Sequence, residues 1–404
     1  MMRLVRFLLV VAPAVGLLPL LLMPGSGNAL PLFARKYSFQ CTQCHMAFPR
    51  LNAFGMQFRQ NGYRLEGDKG KSPWEEKEIP LSLIGNVGIQ YLRSEEADTT
   101  GAGGRVNTST TSFVQNAVEF HTAGTLGPNL TFHFDNGFAD GAGGTLESGM
   151  AFVQFDDVAK AGALNIKAGI YDAELPYLAD SRKTTLNGYI NPVTLDGQGV
   201  ELNGAKSRWT YALGLNNSER TTGKAGATSR NNLENWYGWL MRDVKGGQLV
   251  SGRVWLDRQD PRVADKTASN HLTAQVSAYL NRARWAVIPG YTYESFEDLP
   301  KITGGGTGTL AVSGGLLEAL MFVDPANRWL VTGRYEIRHV GTSDVVAQNG
   351  DDTQTELNLS CFVNANAKIA LDWTHATFKM HNALEDNPTE PVTDELQIYA
   401  HLGY

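Results

Sequence analysis

Two of the three cysteines of the chain lie with a histidine in one five-residue stretch, Cys41-Thr42-Gln43-Cys44-His45. This C-x-x-C-H pattern is the attachment signature of a c-type haem. Two thiols three positions apart on one turn can each bond a vinyl group of the same porphyrin, and the adjacent imidazole then sits below the iron as proximal ligand. The spacing therefore predicts one covalent haem c, held by Cys41 and Cys44, with His45 as its axial iron ligand.

Three other kinds of site use the same residue types. A disulfide between Cys41 and Cys44 would close a very small loop. A redox dithiol is expected in a βαβ setting, and the sequence shows no such pattern. A structural zinc site needs further ligands at ordered spacing, and no Cys/His cluster follows. Cys361 is the only other cysteine, which excludes a disulfide framework. Haem attachment is therefore the favoured interpretation.

The residues after the motif predict a helix with an apolar face. Leu51, Phe54 and Phe58 stand at i, i+3 and i+7. Such a face, with nearby aromatic residues, would give a haem the apolar shell that controls solvent access and potential. These aromatic residues are Phe33, Tyr37, Phe39, Phe48 and Tyr63.

Further candidates for contact with a haem are basic residues and one methionine. Arg35, Arg50 and Arg59 are candidate partners for the propionates, since guanidinium suits carboxylate, although solvated surface charges are the plainer interpretation. Met56 is the candidate sixth iron ligand, and ordinary packing is the alternative for it. Water or a residue of the main body would also serve as sixth ligand.

The start of the chain has the features of an export signal. A basic stretch, an apolar run from Phe7 to Met23 and small residues up to Ala29 predict a signal peptide over residues 1–29. A membrane-anchoring helix is the alternative, but Pro13 and Pro19 interrupt the run. The haem segment, residues 30–71, has roughly forty residues, which is below the size that usually folds alone. It therefore needs the covalent haem and a larger body to pack against.

A charged, proline-bounded linker over residues 72–80 precedes a change of pattern. From Leu81 onward, apolar and polar residues alternate with a period of two, which predicts β-strands with unlike faces. About sixteen such strands follow. They are predicted at 81–91, 112–121, 129–135, 149–156, 164–171, 199–205, 208–216, 235–242, 248–257, 270–281, 284–293, 312–323, 328–339, 353–363, 368–379 and 395–404.

Short turns and long polar connections alternate between these strands. That arrangement is typical of an outer-membrane β-barrel, which has short periplasmic turns and longer extracellular loops. Residues 81–404 are therefore predicted to form a mainly β, antiparallel barrel of about sixteen strands in the lipid outer membrane. A soluble β-sandwich or propeller is the alternative, although no repeat of fixed period is found. The formal charge of −6 argues against nucleic-acid binding.

Ionisable residues on the polar faces of the strands are predicted to line the lumen. A wet, solvated lumen is the expectation for most of them, and contact with haem or a metal ion is the alternative for some. These residues are Glu119, His121, His133, Asp135, Arg253, Glu336, Arg338, Glu356 and Asp372.

The N-terminal segment resembles the fused monohaem cytochrome–porin family. The resemblance is carried by Pro31–Arg35, Cys41–His45, Phe48–Gly55 and Asn61–Tyr63. It implies that Cys41 and Cys44 hold the haem and that His45 is the proximal ligand. It also implies electron transfer between an extracellular donor, with Fe(II) as the leading candidate, and a periplasmic c-type cytochrome or another soluble electron carrier.

The resemblance leaves the direction of electron flow and the donor open, and with them any Fe(II):cytochrome c oxidoreductase activity. One alternative is a diffusion porin in which the haem segment is a plug or sensor. Another is a periplasmic β protein that carries haem outside the membrane.

Overall fold

A computed structural model describes most of the chain. The described residues are 32–65, 67–72, 75, 80–97, 105–137, 147–159, 162–217, 235–259, 269–301, 305–341, 345, 350–364, 367–378 and 392–403. The predicted signal peptide and most of the predicted linker lie outside these residues. None of the helices in the described ranges has the length and hydropathy needed to cross a bilayer.

Sixteen antiparallel strands close into one barrel, which confirms the predicted fold class. Each strand pairs with its neighbours in sequence, and the first and last of them pair to complete the wall. The strands are β3 (Ser82–Ala97), β4 (Arg105–Gly127), β5 (Leu130–Gly137), β6 (Glu147–Ala159), β7 (Leu164–Glu174), β8 (Thr194–Lys206), β9 (Trp209–Asn217), β10 (Asn235–Lys245), β11 (Gln248–Gln259), β12 (Ser269–Asn281), β13 (Trp285–Pro300), β14 (Thr307–Phe322), β15 (Trp329–Val340), β16 (Gly350–Asn364), β17 (Ala367–Thr377) and β18 (Val392–Gly403).

Several strands continue past the ends predicted from hydrophobic alternation, many toward the long connections and some, such as β4 and β10, toward the short turns. β13, for example, was expected to end at Tyr293 but remains paired with β14 as far as Pro300. The apolar pattern fades there while the backbone hydrogen bonds continue. Hydrophobic alternation therefore marks only the part of each strand with one apolar face.

The two faces of the wall differ as the alternation predicts. In β10, Trp236 and Leu240 are exposed on the outside, whereas Tyr237, Trp239 and Met241 are buried on the inside. Large apolar side chains on other strands are exposed on the same outer surface, including Val87, Leu213, Val254, Leu317 and Leu357. The barrel therefore has an apolar exterior and an interior in which buried polar residues such as Glu318, Arg334 and Asn358 lie beside an apolar core.

The N-terminal segment lies inside the barrel. It consists of α1 (Leu32–Tyr37), α2 (Cys41–Cys44), β1 (His45–Ala47), β2 (Arg50–Leu51) and α3 (Ala53–Gln60). Its contacts reach opposite parts of the wall and lie near the short turns. Arg64 bonds Asn129 in the β4–β5 turn at 3.1 Å, and Met46 accepts a bond from Tyr279, near the end of β12, at 3.5 Å.

A second segment enters the lumen between β7 and β8. The sequence predicts a long polar connection between the strands at 164–171 and 199–205, but Leu175, Tyr177 and Leu178 are fully buried. We call residues 175–193 the inward connection; it includes one 3-10 turn, Asp180–Arg182. It folds inward because its backbone and side chains hydrogen-bond to polar residues of the inner wall.

The inward connection covers several charged side chains of the lumen and hydrogen-bonds to them. The backbone N–H of Asn187 donates to Glu356 at 2.9 Å, and that of Asn191 donates to Glu336 at 3.0 Å. Glu336 and Glu356 are 0% exposed and Asp372 is 2% exposed. The expectation of a solvated lumen was therefore wrong for these residues, because the inward connection covers them.

Candidate functional site

Asn52 holds the two cysteines in place. It is the N-cap of α3, and its side-chain oxygen accepts from the Gly55 N–H at 2.9 Å. Its amide nitrogen donates to the carbonyls of Thr42 at 3.1 Å and Gln43 at 3.0 Å, at the end of α2. Its own backbone N–H donates to Cys44 at 2.9 Å. One side chain thus caps one helix and satisfies the carbonyls of the other.

Gly55 permits the close approach of these two helices. A Cβ atom at this position would lie 2.1 Å from the carbonyl oxygen of Cys44. Only glycine lacks that atom, so α3 can pack directly on the backbone of the C-x-x-C turn.

The ring of His45 is oriented by the backbone. Its Nδ1–H donates to the carbonyl oxygen of Pro49 at 3.1 Å, because a carbonyl can only accept. Burial lowers the pKa of His45 to about 4, so the imidazole is neutral at neutral pH. In this tautomer the lone pair lies on Nε2, and a neutral imidazole with a fixed Nδ1 partner is the form that ligates a metal.

The two thiols of the motif are protonated at neutral pH. Burial, and then the nearby Cys41, raise the pKa of Cys44 to about 11. Burial also raises the pKa of Cys41. None of the three cysteines is in a disulfide. A redox dithiol depends on a lowered thiol pKa, so this environment does not favour that alternative.

A cavity of about 730 Å³ lies between the N-terminal segment and the inner wall, and Cys41, Cys44 and His45 all line it. This volume is in the range of sites that hold small molecules and cofactors. The apolar part of the lining comes mainly from the segment itself. It includes Phe33, Phe39, Phe48, Leu51, Phe58 and Tyr63.

The aromatic residues predicted as a shell do surround this space. Four of the five line the cavity, and Tyr37 packs behind them, with ring centroids 5.4 Å from Phe39 and 5.5 Å from Phe58. Leu51 also lines it, although it belongs to β2 and not to the predicted helix.

The predicted arginines have different positions. Arg59 lines the cavity. Arg50 does not, because it is fully buried in an ion pair with Glu318 of β14. The side chain of Arg35 lies outside the part of the chain that the structure describes. Of the two arginine side chains that the structure describes here, Arg59 is the one in place to contact a group bound in the cavity.

The structure does not bring Met56 to the cavity. Met56 is 3% exposed and packs in the core together with Ala47 and Leu51. It lies two residues before Phe58, which is about 200° around an α-helix. Because Phe58 faces the cavity, Met56 faces the barrel wall instead.

Several residues of the cavity lining were not predicted. Arg182 and Lys183 of the inward connection and Lys368 of β17 bring positive charge to it. His401 of β18 also lines it, with its ring centroid 5.0 Å from that of Phe48. Its Nδ1 bonds Asn86, and its Nε2 is buried without a hydrogen-bond partner among the described residues. No local pattern in the sequence marks these residues, since folding of the lumen brings them together.

Solved structures share the architecture of this barrel. The outer membrane channel DcaP of Acinetobacter baumannii is 11% identical, with a TM-score of 0.57, over 80% of this chain and 97% of that one. The barrel has the porin fold. An anion-selective porin from Comamonas acidovorans is 11% identical, with a TM-score of 0.54, over 80% of this chain and 98% of that one.

A third structure with the porin fold is OmpF of Salmonella typhi in complex with daunomycin, 11% identical, with a TM-score of 0.52, over 80% of this chain and 97% of that one. No family model and no curated protein sequence matches this chain. At such low identity the likeness establishes the porin fold alone.

Proposed function

We propose that this protein is an outer-membrane barrel that carries one c-type haem inside its lumen and transfers electrons through it. The donor would be extracellular, with Fe(II) as leading candidate, and the acceptor a periplasmic c-type cytochrome or another soluble carrier. The observation that supports this proposal is the position of Cys41, Cys44 and His45, side by side on the wall of a cavity of about 730 Å³ inside a closed barrel.

The membrane location is supported by the porin fold and by the outer surface. Apolar side chains such as Val87, Leu213 and Leu357 are exposed outside the wall. A barrel in the outer membrane presents an apolar band about 25 Å tall to lipid. The N-terminal segment lies near the short turns, which face the periplasm in such barrels. This placement would put the haem within reach of a soluble periplasmic carrier.

The residues of the cavity fit a haem by their chemistry. The Cys41 and Cys44 thiols are available for thioether bonds, and His45 presents Nε2 while Pro49 holds Nδ1. The aromatic residues of the segment would cover the faces of a bound haem, and Arg59, Arg182 and Lys368 would supply positive charge for its propionates. A haem iron, when bound, supplies a one-electron couple, which matches the single electron released when Fe(II) becomes Fe(III).

The proposal is tested on protein purified in detergent from the outer membrane of a host that matures c-type cytochromes. Covalent haem is measured by mass and by the reduced α-band, and the band is followed after anaerobic addition of Fe(II). We expect covalent haem, rapid reduction, and loss of both in Cys41→Ser/Cys44→Ser. A Cys361→Ser variant is the matched control, because it keeps the C-x-x-C-H motif. Absence of covalent haem from the wild type would refute the proposal.

A diffusion porin with a haem-containing plug or sensor is the second candidate. The porin fold, shared with channels such as that of Acinetobacter baumannii, favours it. It predicts ion conductance in planar bilayers and a bound haem that Fe(II) and other donors do not reduce. Electron transfer with little conductance would instead support the first candidate.

A further inference from the structure

A second cluster of ligating atoms lies on the wall of the same cavity. It consists of His121 on β4 and of His133 and Asp135 on β5. The strand register places His121 directly opposite Asp135, and His133 precedes Asp135 by two residues on the same face. All three side chains therefore point into the lumen from adjacent positions.

The ligating atoms converge on one carboxylate oxygen. His133 Nε2 lies 3.1 Å and His121 Nδ1 lies 3.7 Å from Asp135 Oδ2. One ligand atom from each residue lies within 4.8 Å of the other two. Atoms bound to one ion at about 2.1 Å and at tetrahedral angles are about 3.4 Å apart. The observed spacing thus needs only small side-chain adjustments to surround an ion.

The atoms that face away from this point are held by other groups. His121 Nε2 lies 2.9 Å from Glu119 Oε2, and His133 Nδ1 lies 2.8 Å from the Tyr63 hydroxyl. Asp135 Oδ1 accepts the backbone N–H of Met150. In metal sites the second nitrogen of a histidine ligand is usually held in this way, which fixes the ring and its tautomer. The cluster therefore has both an inner set of ligands and an outer set of supports.

The other histidine–carboxylate contacts of the described residues do not have this composition. His271 with Glu294, His339 with Asp351, and His375 with Asp394 each join one imidazole to one carboxylate. Within the described ranges, only the cluster on β4 and β5 brings three ligating residues together. Its side chains are 10–23% exposed, so an ion can reach them from the cavity.

We propose that His121, His133 and Asp135 bind one divalent first-row transition-metal ion, with its remaining coordination positions open to the cavity. Two imidazoles and one carboxylate suit Zn²⁺, Fe²⁺ or Co²⁺, whereas Mg²⁺ and Ca²⁺ prefer oxygen ligands alone. On binding, the single proton of the neutral His133 imidazole moves from Nε2 to Nδ1, where it is donated to the Tyr63 hydroxyl oxygen, so that Nε2 offers its lone pair to the ion and the ring stays neutral. This site does not depend on the presence of haem.

The test is calorimetric titration of Zn²⁺ into the chelator-treated, full-length protein in detergent, followed by zinc K-edge X-ray absorption. Zinc absorption is blind to haem iron, so the result does not depend on the proposed electron transfer. We expect one ion per chain and scattering from two imidazole nitrogens at about 2.0–2.1 Å. His133→Ala and His121→Ala should each weaken binding at least about tenfold, and Mg²⁺ should not compete.

Two further variants keep the ligands in place. Tyr63→Phe and Glu119→Gln should weaken Zn²⁺ binding about 10- to 100-fold, since supporting hydrogen bonds of this kind are worth that much in other sites. His339→Ala removes an exposed histidine–carboxylate contact elsewhere and should leave binding unchanged. The proposal fails if wild type binds no Zn²⁺, if the bound ion shows no imidazole scattering, or if His121→Ala/His133→Ala binds as tightly as wild type.

Discussion

Arg50 of the N-terminal segment and Glu318 of β14 form an ion pair in which both side chains are 0% exposed. The guanidinium also donates to the backbone carbonyl of Tyr177 and to the hydroxyl of Tyr189 at 3.2 Å, both in the inward connection. Burial alone would lower the pKa of Arg50, but Glu318 raises it above its usual value, so the guanidinium stays charged. This pair joins the segment, the inward connection and the wall at one point.

The first prediction concerns that pair. Arg50→Met leaves the Glu318 carboxylate buried without its partner, which typically costs about 3–5 kcal/mol. We expect the segment to leave the lumen more often, measured as faster proteolysis at residues 66–72 in the protein purified in detergent. Arg50→Met/Glu318→Met should recover much of the loss, because two apolar side chains replace the pair.

The control for this prediction is Arg328→Met. Arg328 pairs with Asp324 in the β14–β15 turn, where the arginine side chain is 67% exposed. Exposed pairs contribute about 0–1 kcal/mol, so proteolysis should not change. Equal proteolysis rates for Arg50→Met and wild type would show that the pair does not anchor the segment.

The second prediction concerns the packing of α3 on α2. In Gly55→Ala, the new Cβ would lie 2.1 Å from the Cys44 carbonyl oxygen, so the two backbones must separate. Overpacking of this kind costs about 1–3 kcal/mol of stability, and a loss of about 1.4 kcal/mol lowers an equilibrium constant tenfold. We expect haem content per polypeptide, measured by pyridine haemochrome spectra, to fall about tenfold. Gly403→Ala is the control, because a Cβ atom there has no heavy atom within 4 Å. Full haem content in Gly55→Ala would contradict the expectation.

The third prediction concerns the thiols before haem attachment. Because burial raises the pKa of Cys44 to about 11, the thiolate fraction of Cys44 is small at pH 8 and increases as the pH rises toward and through that value. In a Cys361→Ser background, produced without haem maturation, alkylation by iodoacetamide at pH 8 should be at least about tenfold slower than for free cysteine. The rate should rise with pH between 8 and 10. Fast alkylation at pH 8 would favour a redox dithiol instead.

The fourth prediction concerns ion flow. Deletion of residues 32–65 should raise the single-channel conductance in planar bilayers, because this segment occupies the lumen near the short turns. The increase should be partial, since the inward connection still covers Glu336 and Glu356. The full-length protein and the turn variant Arg328→Met provide the baseline. Equal conductance with and without residues 32–65 would mean that the segment does not obstruct the lumen.

The strands could be predicted from sequence because each has a local pattern. In β14 and β15, alternation between an exposed and a buried side chain is nearly unbroken, and the sequence carries it as alternation of residue types. The spacing of Cys41, Cys44 and His45 is also local. Five consecutive residues are therefore enough to predict that these three side chains lie close together, as they do on the wall of the cavity.

Other features depend on contacts distant in sequence. The convergence of His121 and Asp135 requires the register between β4 and β5, which alternation does not specify. The inward path of residues 175–193 depends on partners such as Glu318 and Glu336, more than a hundred residues away. Met56 is the candidate sixth iron ligand from the sequence, with ordinary packing as the alternative, and in the structure it packs in the core. The direction of a helical side chain is set by how the whole helix packs, which the local sequence does not show.

Strand β18 has two roles. It pairs with β3 to complete the wall, and it supplies Tyr399 and His401 to the cavity. Without it, β3 and β17 would each present unpaired backbone groups, which a bilayer interior does not tolerate. The enclosed space and the sealed wall therefore both depend on the pairing of β18 with β3. The amount of any group bound in the cavity then depends on completed barrel assembly as well as on binding affinity. A barrel that has not closed lacks a complete cavity in which to hold the group.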